Sequence, residues 1–181
     1  MPMGNHWKVT RPERNAGETM TPAINAAKKA KVYFVVHEYD HDPAAASYGG
    51  EAAEKLGISE ARVFKTLVVD DGANRLAVGI VPVSSMLNLK KIAKALGAKK
   101  VAMADGADVE RSTGYVLGGV SPLGQKKRLK TVIDESARDF ETIHVSAGRR
   151  GLEIELAPAD LAKLTGAVFA EIRSEAGRRV E

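Results

Sequence analysis

The sequence predicts an α+β domain in which helices and strands are mixed, and three observations support this fold class. Helix signals and β-branched segments follow one another without the regular β-α-β rhythm of a doubly wound fold. The length of 181 residues suits one domain with a sizeable core. The sequence contains neither an internal repeat nor a linker rich enough to divide it. We therefore expect one compact domain, 20–173, between flexible segments at 1–19 and 174–181.

The first half of the chain predicts two helices and three strands. A helix is expected at "MTPAINAAKKAK", where Thr21 suits the N-cap and Pro22 the first helical position. The β-branched and aromatic segment "VYFVVHEYD" (32–40) predicts a strand. A short helix in "GGEAAEKLG" is closed by Gly57. "RVFKTLVVDDGANRLAVGIVPV" predicts two strands joined in a hairpin through "DDGAN".

The second half continues the mixed pattern. Asn88 is expected to cap the helix "LKKIAKAL" and Gly97 to end it. A short strand "KKVAM" and a helical stretch around "ADVERST" follow. After a glycine-rich turn come the strands "KTVID", "TIHVSA" and "LEIEL". Pro158 begins a last helix, "PADLAKL", before a final strand in "AVFAEI".

Composition excludes several classes of protein. The sequence has no cysteine, which rules out disulfides, thiolate nucleophiles and cysteine-based zinc sites. No stretch approaches the roughly 18 consecutive apolar residues of a membrane helix. The first 19 residues are polar and lack the apolar centre of a signal peptide. We expect a cytoplasmic protein without a membrane partner.

Positive charge is concentrated in two windows. The net charge is +4, but "LKKIAKALGAKKV" (89–101) holds five lysines and no acid, and "GGVSPLGQKKRLK" (118–130) holds four cations and no acid. Such segregation is expected of a surface that binds polyanions. The first window also fits a solvated helix face. The second window follows the glycine-rich turn directly, which makes an ordinary helix face a poorer explanation.

Lys65 is an unusual residue in its surroundings. In "RVFKTLVVD" both faces of the predicted strand are mostly apolar, which indicates burial on both sides. A functional lysine at this position would lie in a cleft and meet an anion such as phosphate. The alternative is a lysine near the end of the strand whose ammonium reaches water.

Standard metal and nucleophile motifs are absent from the sequence. His37 and His41 are four residues apart, but the first lies on a strand and the second in a turn, so they do not form a helical zinc motif. His37 and Tyr39 share a strand face, where Tyr39 would hydrogen-bond a ligand or be satisfied locally. The sequence has no G-x-S-x-G elbow, Walker loop or H-E-x-x-H motif.

The segment "GGVSP" offers a different kind of site. Gly118 and Gly119 can adopt backbone angles closed to other residues, so their amides could converge on one point. Pro122 stiffens the exit, and Ser121 adds a hydroxyl. Converging amides suit a developing oxyanion because they are already oriented. The alternative is a plain tight turn between strands.

A set of segments carries a family resemblance that runs in order from about Met20 to Ile172. The segments are "MTPAI", "HEYDHDP", "EAAEKLGI", "VFKTLVV", "LNLKKIAKALGAKKVAMAD", "RSTGYVLGGVSPLGQKKRLKTVID", "FETIHVSAGRRGLEIELAPADLAKL" and "FAEI". They resemble the YbaK family of aminoacyl-tRNA deacylases, which are relatives of the editing insertion domain of bacterial prolyl-tRNA synthetases. The resemblance is close to the subgroup that hydrolyses Cys-tRNA(Pro).

The resemblance implies a fold and a reaction. The fold is an α+β domain around a curved, mixed, partly barrel-like sheet. The reaction is removal of cysteine from tRNA(Pro), and by extension from tRNA(Cys). A synthetase pocket cannot reject cysteine by packing alone, since one methylene is worth only about 1–3 kcal/mol. In the family's proposed chemistry the substrate thiol attacks its own ester, which needs no cofactor or metal.

The resemblance also implies roles for individual residues. Lys65 would engage the terminal adenosine or a phosphate of the tRNA, and the backbone at Gly118 would stabilise the oxyanion. The remaining substrate-binding positions are Tyr39, Gly119, Ser121, Pro122 and Glu153. From charge and family together, the expected tRNA contacts are Lys126, Lys127, Arg128 and Lys130.

Two other functions remain open at this stage. One is a deacylase for another small amino acid, such as alanine on tRNA(Pro). The other is a non-catalytic tRNA-binding or regulatory module, since a fold does not fix a function. By resemblance, the expected partners are aminoacylated tRNA(Pro) and prolyl-tRNA synthetase in a ternary complex.

Overall fold

The computed structural model describes residues 20–174, so the predicted flexible segment at 1–19, and all of the predicted segment at 174–181 except Ser174, lie outside the described residues. The helices are α1 (Pro22–Ala30), α2 (Tyr48–Leu56), α3 (Leu89–Leu96), α4 (Gly106–Thr113) and α5 (Pro158–Thr165). The strands are β1 (Phe34–Glu38), β2 (Phe64–Asp70), β3 (Leu76–Pro82), β4 (Met86–Leu87), β5 (Ala102–Met103), β6 (Lys130–Asp134), β7 (Ile143–Arg149), β8 (Leu152–Leu156), β9 (Val168–Ala170) and β10 (Arg173–Ser174). This mixture confirms the α+β class.

The strands form two main sheets and a short ribbon. In residues 20–174, five strands pair in the order β5-β2-β3-β6-β9 and three in the order β1-β8-β7. The larger sheet is mixed, because β2 is antiparallel to β3 and β5 whereas β6 is parallel to β3 and β9. The smaller sheet is antiparallel. The ribbon pairs β10 with β4, and it includes Ser174, which the sequence analysis assigns to the tail.

The two main sheets meet where β2 begins. An isolated parallel bridge joins Val63 to His144 of β7, and the Val63 carbonyl accepts a hydrogen bond from the Val83 N–H at 2.8 Å. Apart from this bridge, no strand pairing connects the two sheets within the described range. The curved sheet expected from the resemblance is therefore built from two sheets in contact, without closure into a barrel.

The main hydrophobic core lies between these sheets and beneath α1, α4 and α5. Its fully buried side chains include Ile24, Phe64, Ile80, Ile133, Ile154 and Leu161. A second cluster packs α3 against the larger sheet, with Ile92 inside and Lys94 exposed. Burial of each large aliphatic side chain stabilises the fold by about 1.5–3 kcal/mol.

Local capping agrees with the sequence analysis. The Thr21 hydroxyl accepts the Ile24 N–H at 3.2 Å and donates to the Ala147 carbonyl at 2.5 Å, which ties α1 to β7. The Asn88 side chain accepts two N–H groups of α3, each at 3.1 Å. Gly57 and Gly97 end their helices in the left-handed conformation. Within 20–174 the helices are all too short or too polar to cross a membrane.

Candidate active site

A cavity of about 370 Å³ lies between the two main sheets, where β2, the start of α2 and the glycine-rich turn come together. Four of the predicted site residues line it: Tyr39, Lys65, Gly118 and Glu153. These residues are widely separated in the sequence and come from both sheets and from the loops between them. The fold thus brings the predicted lysine and the predicted glycine turn to one space, as the interpretation of the glycine segment requires.

Lys65 is the second residue of β2 and is half-buried in this cavity. Burial lowers the pKa of its ammonium below the ordinary lysine value. In residues 20–174 no carboxylate pairs with this ammonium and no oxygen accepts a hydrogen bond from it. A partly desolvated cation without a partner favours binding of an anion or a carbonyl oxygen.

Gly118 occupies a tight turn at the cavity wall. The Gly119 N–H donates to the Val116 carbonyl at 3.0 Å, and Gly118 has a φ of +85°, as the third position of a type II turn requires. A Cβ on Gly118 would lie 2.6 Å from Tyr48 Cε2, so glycine is needed for space as well as for conformation. The Gly118 amide makes no hydrogen bond to any residue between 20 and 174.

Gly119, Ser121 and Pro122 do not line the cavity with Gly118, although the sequence analysis expects them to bind substrate. The amide of Gly119 is engaged in the turn, so the two glycine amides do not converge on one point as free donors. Ser121 and Pro122 are buried outside the cavity lining. The Ser121 hydroxyl accepts the Leu123 N–H at 3.2 Å, and its carbonyl accepts the Gln125 side-chain amide at 3.0 Å. The structure thus brings Gly118 to the cavity, whereas Gly119, Ser121 and Pro122 lie outside its lining.

Glu153 is the acid that lines the cavity. It is the second residue of β8, is 7% exposed, and its Oε2 has no hydrogen-bond partner within the described residues. Burial raises its pKa to about 8. Thr66 Oγ1 is a second buried polar atom that lines this cavity without a partner. Unsatisfied buried polar atoms are uncommon in native proteins, so these two atoms are available to bond a molecule that enters the cavity.

Tyr39 follows β1 and is held by a hydrogen bond from its N–H to the Gly151 carbonyl at 3.0 Å. Burial, followed by the negative charges of Glu153 and Glu51, raises the pKa of its phenol to about 12. The hydroxyl therefore keeps its proton at neutral pH and can donate a hydrogen bond to a bound molecule.

The predicted tRNA-binding cations lie outside the cavity. Lys126 and Lys127 are exposed, and their backbone N–H groups donate to carbonyls at the end of α4. The Arg128 guanidinium lies against Gly166 at the end of α5. The Lys130 ammonium donates to the Leu96 carbonyl at the end of α3, at 3.2 Å. Both of these last cations are placed where helix dipoles favour positive charge, which gives them a structural role.

The smaller sheet also carries a cluster that the sequence analysis does not predict. His37, His144 and Glu155 present ligand atoms within 4.8 Å of one another. Glu155 Oε2 accepts a hydrogen bond from the Thr142 hydroxyl at 2.5 Å. Its other oxygen, Oε1, is hydrogen-bonded to His37 Nε2 at 2.8 Å. His37 and Glu155 are thus paired, whereas His144 Nδ1 is buried and has no hydrogen-bond partner within residues 20–174. The absence of a metal from the reaction stays a prediction.

Comparison with known proteins identifies the family. Residues 42–164 match the aminoacyl-tRNA editing domain, a range that contains Lys65, Gly118 and Glu153. The chain belongs to this family. The resemblance identified from the sequence motifs is confirmed.

Three relatives of this editing domain are informative. A protein of Enterococcus faecalis named "Putative Cys-tRNA(Pro)/Cys-tRNA(Cys) deacylase EbsC" is 42% identical over 159 residues, which are 86% of this chain and 94% of the relative. A proline–tRNA ligase of Trichlorobacter lovleyi is 33% identical over 93 residues, 50% of this chain and 16% of the ligase. The crystal structure titled "a putative trans-editing enzyme for prolyl tRNA synthetase" has a TM-score of 0.75 at 24% identity, covering 87% of this chain and 99% of that one, and it shows the fold.

The editing-domain cavity also contains residues that sequence reasoning misses. Ser146 lines it because its Cα pairs with that of Glu153 across β7 and β8. Thr66 lines it as the neighbour of Lys65. Tyr48 lines it as the first residue of α2, where its ring packs against the Gly118 turn. Only Thr66 has a signal in the sequence, as a hydroxyl within an apolar strand; the other two depend on long-range pairing and packing.

Proposed function

We propose that this editing domain removes cysteine from mischarged tRNA, with Cys-tRNA(Pro) as a substrate and Cys-tRNA(Cys) as a second one. The observation that carries the proposal is the cavity that places Lys65, Gly118, Tyr39 and Glu153 around one space. Family membership supports the class of reaction, deacylation of an aminoacyl-tRNA. The name of the 42% identical relative supports cysteine as the amino acid.

The proposed reaction uses the substrate's own thiol as nucleophile. An aminoacyl ester is already activated, so the protein needs to orient it and stabilise the oxyanion. The thiol gives up its proton, its sulfur bonds to the ester carbonyl carbon, and the bond from that carbon to the tRNA 3′-oxygen breaks. The 3′-oxygen takes up a proton, and the amino acid leaves as a cyclic thioester that water then hydrolyses. Amino acids without a thiol cannot follow this route.

Glu153 is proposed as the group that accepts the thiol proton and returns it to the 3′-oxygen. Its pKa of about 8 lies close to the ordinary thiol value of about 8.5. General bases act most effectively when their pKa lies near the working pH. The rate is therefore expected to rise with pH as this carboxyl ionises.

The other cavity residues are proposed to hold the substrate in place. The half-buried ammonium of Lys65 binds an oxygen of the terminal nucleotide. The amide of Gly118, which has no partner between residues 20 and 174, donates to the oxyanion. Tyr39 keeps its phenolic proton up to a pH of about 12 and orients the aminoacyl group as a hydrogen-bond donor.

The proposal is tested by deacylation of purified tRNAs charged with different amino acids. Cys-tRNA(Pro) should lose its amino acid rapidly, whereas tRNA(Pro) charged with 2-aminobutyrate, which replaces the thiol by a methyl group, should remain intact. Lys65→Ala should lower kcat/KM by about 10- to 100-fold, the cost of one bond to a charged group. Lys163→Ala, which removes an exposed lysine of α5, is the matched control. Equal rates on both charged tRNAs, or preference for Ala-tRNA(Pro), would rule out the thiol mechanism.

Partners follow from the proposed substrate. The similarity to part of a proline–tRNA ligase supports tRNA(Pro) as the RNA and prolyl-tRNA synthetase as a partner that supplies tRNA identity. The reaction then takes place in the cytoplasm, where tRNAs are charged. Co-precipitation of the synthetase with this protein should require tRNA(Pro), and co-precipitation without RNA would contradict a ternary complex.

A further inference from the structure

Arg150 lies at the rim of the cavity, in the turn between β7 and β8. Its guanidinium Cζ is 4.5 Å from the centre of the Tyr48 ring, and its Nη2 donates to the Leu117 carbonyl at 2.8 Å. Its Nε lies 2.7 Å from the place that a Cβ of Gly118 would occupy. Arg150 therefore contacts three residues that line the cavity while its own side chain remains exposed.

The charge of Arg150 is fixed in position but not neutralised. Within the described residues it has no carboxylate partner, whereas its neighbour Arg149 pairs with Glu38 at 2.6 Å. A guanidinium has five N–H donors, and the bond to Leu117 uses one of them. Because the Tyr48 ring and this carbonyl already order the side chain, little further entropy is lost when the remaining donors bind an anion.

The surface around Arg150 has the chemistry of a nucleotide site. Tyr48 and Leu117, which Arg150 contacts, are 42% and 47% exposed, and Met103, which also lines the cavity, is 51% exposed, so the cavity offers exposed apolar surface. Apolar and aromatic surfaces bind bases, whereas arginine forks match the oxygens of phosphate. An oriented arginine next to such a surface favours a nucleotide over an isolated anion.

We propose that Arg150 binds the phosphate that joins the last two nucleotides of the tRNA 3′ end, and that Tyr48 is the positioning residue that holds it. This inference rests on the proposed function, because it assumes that the terminal aminoacylated nucleotide occupies the cavity. Lys65 then acts inside the cavity and Arg150 at its entrance. The two cations contact the substrate at different points and serve different purposes.

Binding of two uncharged probes tests this assignment without reference to catalysis. The dinucleotide cytidylyl-3′,5′-adenosine contains the phosphate, and adenosine lacks it. NMR titration of the wild-type protein should show tighter binding of the dinucleotide, and Arg150→Gln should remove about 10-fold of that preference. Arg75→Gln is the control, since it removes one arginine that pairs with Asp71 at 2.8 Å, away from the cavity. Equal binding of both probes by the wild type would overturn the inference, even if Cys-tRNA(Pro) is deacylated.

Three further variants separate binding from a structural role. Arg150→Lys keeps the charge but not the fork, and should retain part of the preference for the dinucleotide. Tyr48→Phe should retain the preference, whereas Tyr48→Leu should reduce it, because the Tyr48 ring and not its hydroxyl contacts the guanidinium. A loss of adenosine and dinucleotide binding in equal measure by all four variants would show a structural role and refute phosphate binding. Absence of deacylation together with an intact dinucleotide preference would refute the proposed function alone.

Discussion

Glu153→Gln is expected to stabilise the protein at neutral pH. Burial raises the pKa of Glu153 from 4.5 to about 8. Between these values the folded protein keeps the carboxyl proton, whereas the unfolded chain has released it. The contribution of Glu153 to stability is therefore fully present below pH 4.5 and is lost as the pH rises to about 8, by about 1.4 kcal/mol for each pH unit.

Glutamine has the same shape and no titration, so it should not show this loss. From pH 5 to pH 7 the free energy of unfolding of the wild type should fall by about 3 kcal/mol relative to Glu153→Gln. Urea unfolding of both proteins across this range measures the difference, because the titration of other groups is common to both. Parallel pH profiles would refute the reasoning from burial. Deacylation by the variant should fall, since the proposed proton acceptor is gone.

Glu155→Gln is the matched control on the same strand face. Burial raises the pKa of Glu155, but hydrogen bonds from Thr142 and His37 outweigh this effect and leave the pKa below its ordinary value. The contribution of this ionised carboxylate is present above the ordinary pKa and is lost as the pH falls below it. The control should therefore be less stable than the wild type at pH 5 and at pH 7, opposite in sign to Glu153→Gln.

Two further predictions concern the turn and the basic segment. Gly118→Ala should destabilise the protein more than Gly72→Ala in thermal unfolding. Both glycines have a φ near +85°, a conformation that costs alanine about 1–2 kcal/mol. At Gly118 the added Cβ would also meet the Tyr48 ring, whereas at Gly72 it would meet no atom within 4 Å. Equal losses would show that Tyr48 moves aside freely. Replacing Lys126 and Lys127 together by glutamine should make the negative slope of log affinity for tRNA against log salt concentration less steep by about 1–2. An unchanged slope would show that these lysines do not contact the RNA.

Elements with local signals are predictable from the sequence. The Thr21 and Asn88 caps, the glycine C-caps and the hairpin from β2 to β3 depend on residues within a few positions of one another, and all are found in the structure. The ribbon of β4 and β10 is missed because two-residue strands carry no periodicity. Their pairing is decided by tertiary packing rather than by local propensity.

The candidate site is predictable only in part for the same reason. Lys65 and Gly118 stand out locally, one as a charge in an apolar strand and the other as a turn glycine. Ser146 and Tyr48 acquire their places through strand register and packing, which a single sequence does not contain. Which of the Gly118 and Gly119 amides bonds to another described residue likewise depends on which residues close the turn.

Between residues 20 and 174 one bridge, from Val63 to His144, joins the two main sheets, and this has a consequence for selectivity. Lys65 and Glu153 belong to different hydrogen-bonded sheets, so no continuous ladder fixes the gap between them. The packing of buried side chains between the two sheets sets the distance from Lys65 to Glu153 instead. Substitutions deep in the interior, far from any reacting atom, would therefore widen or narrow the opening and so change which amino acids fit.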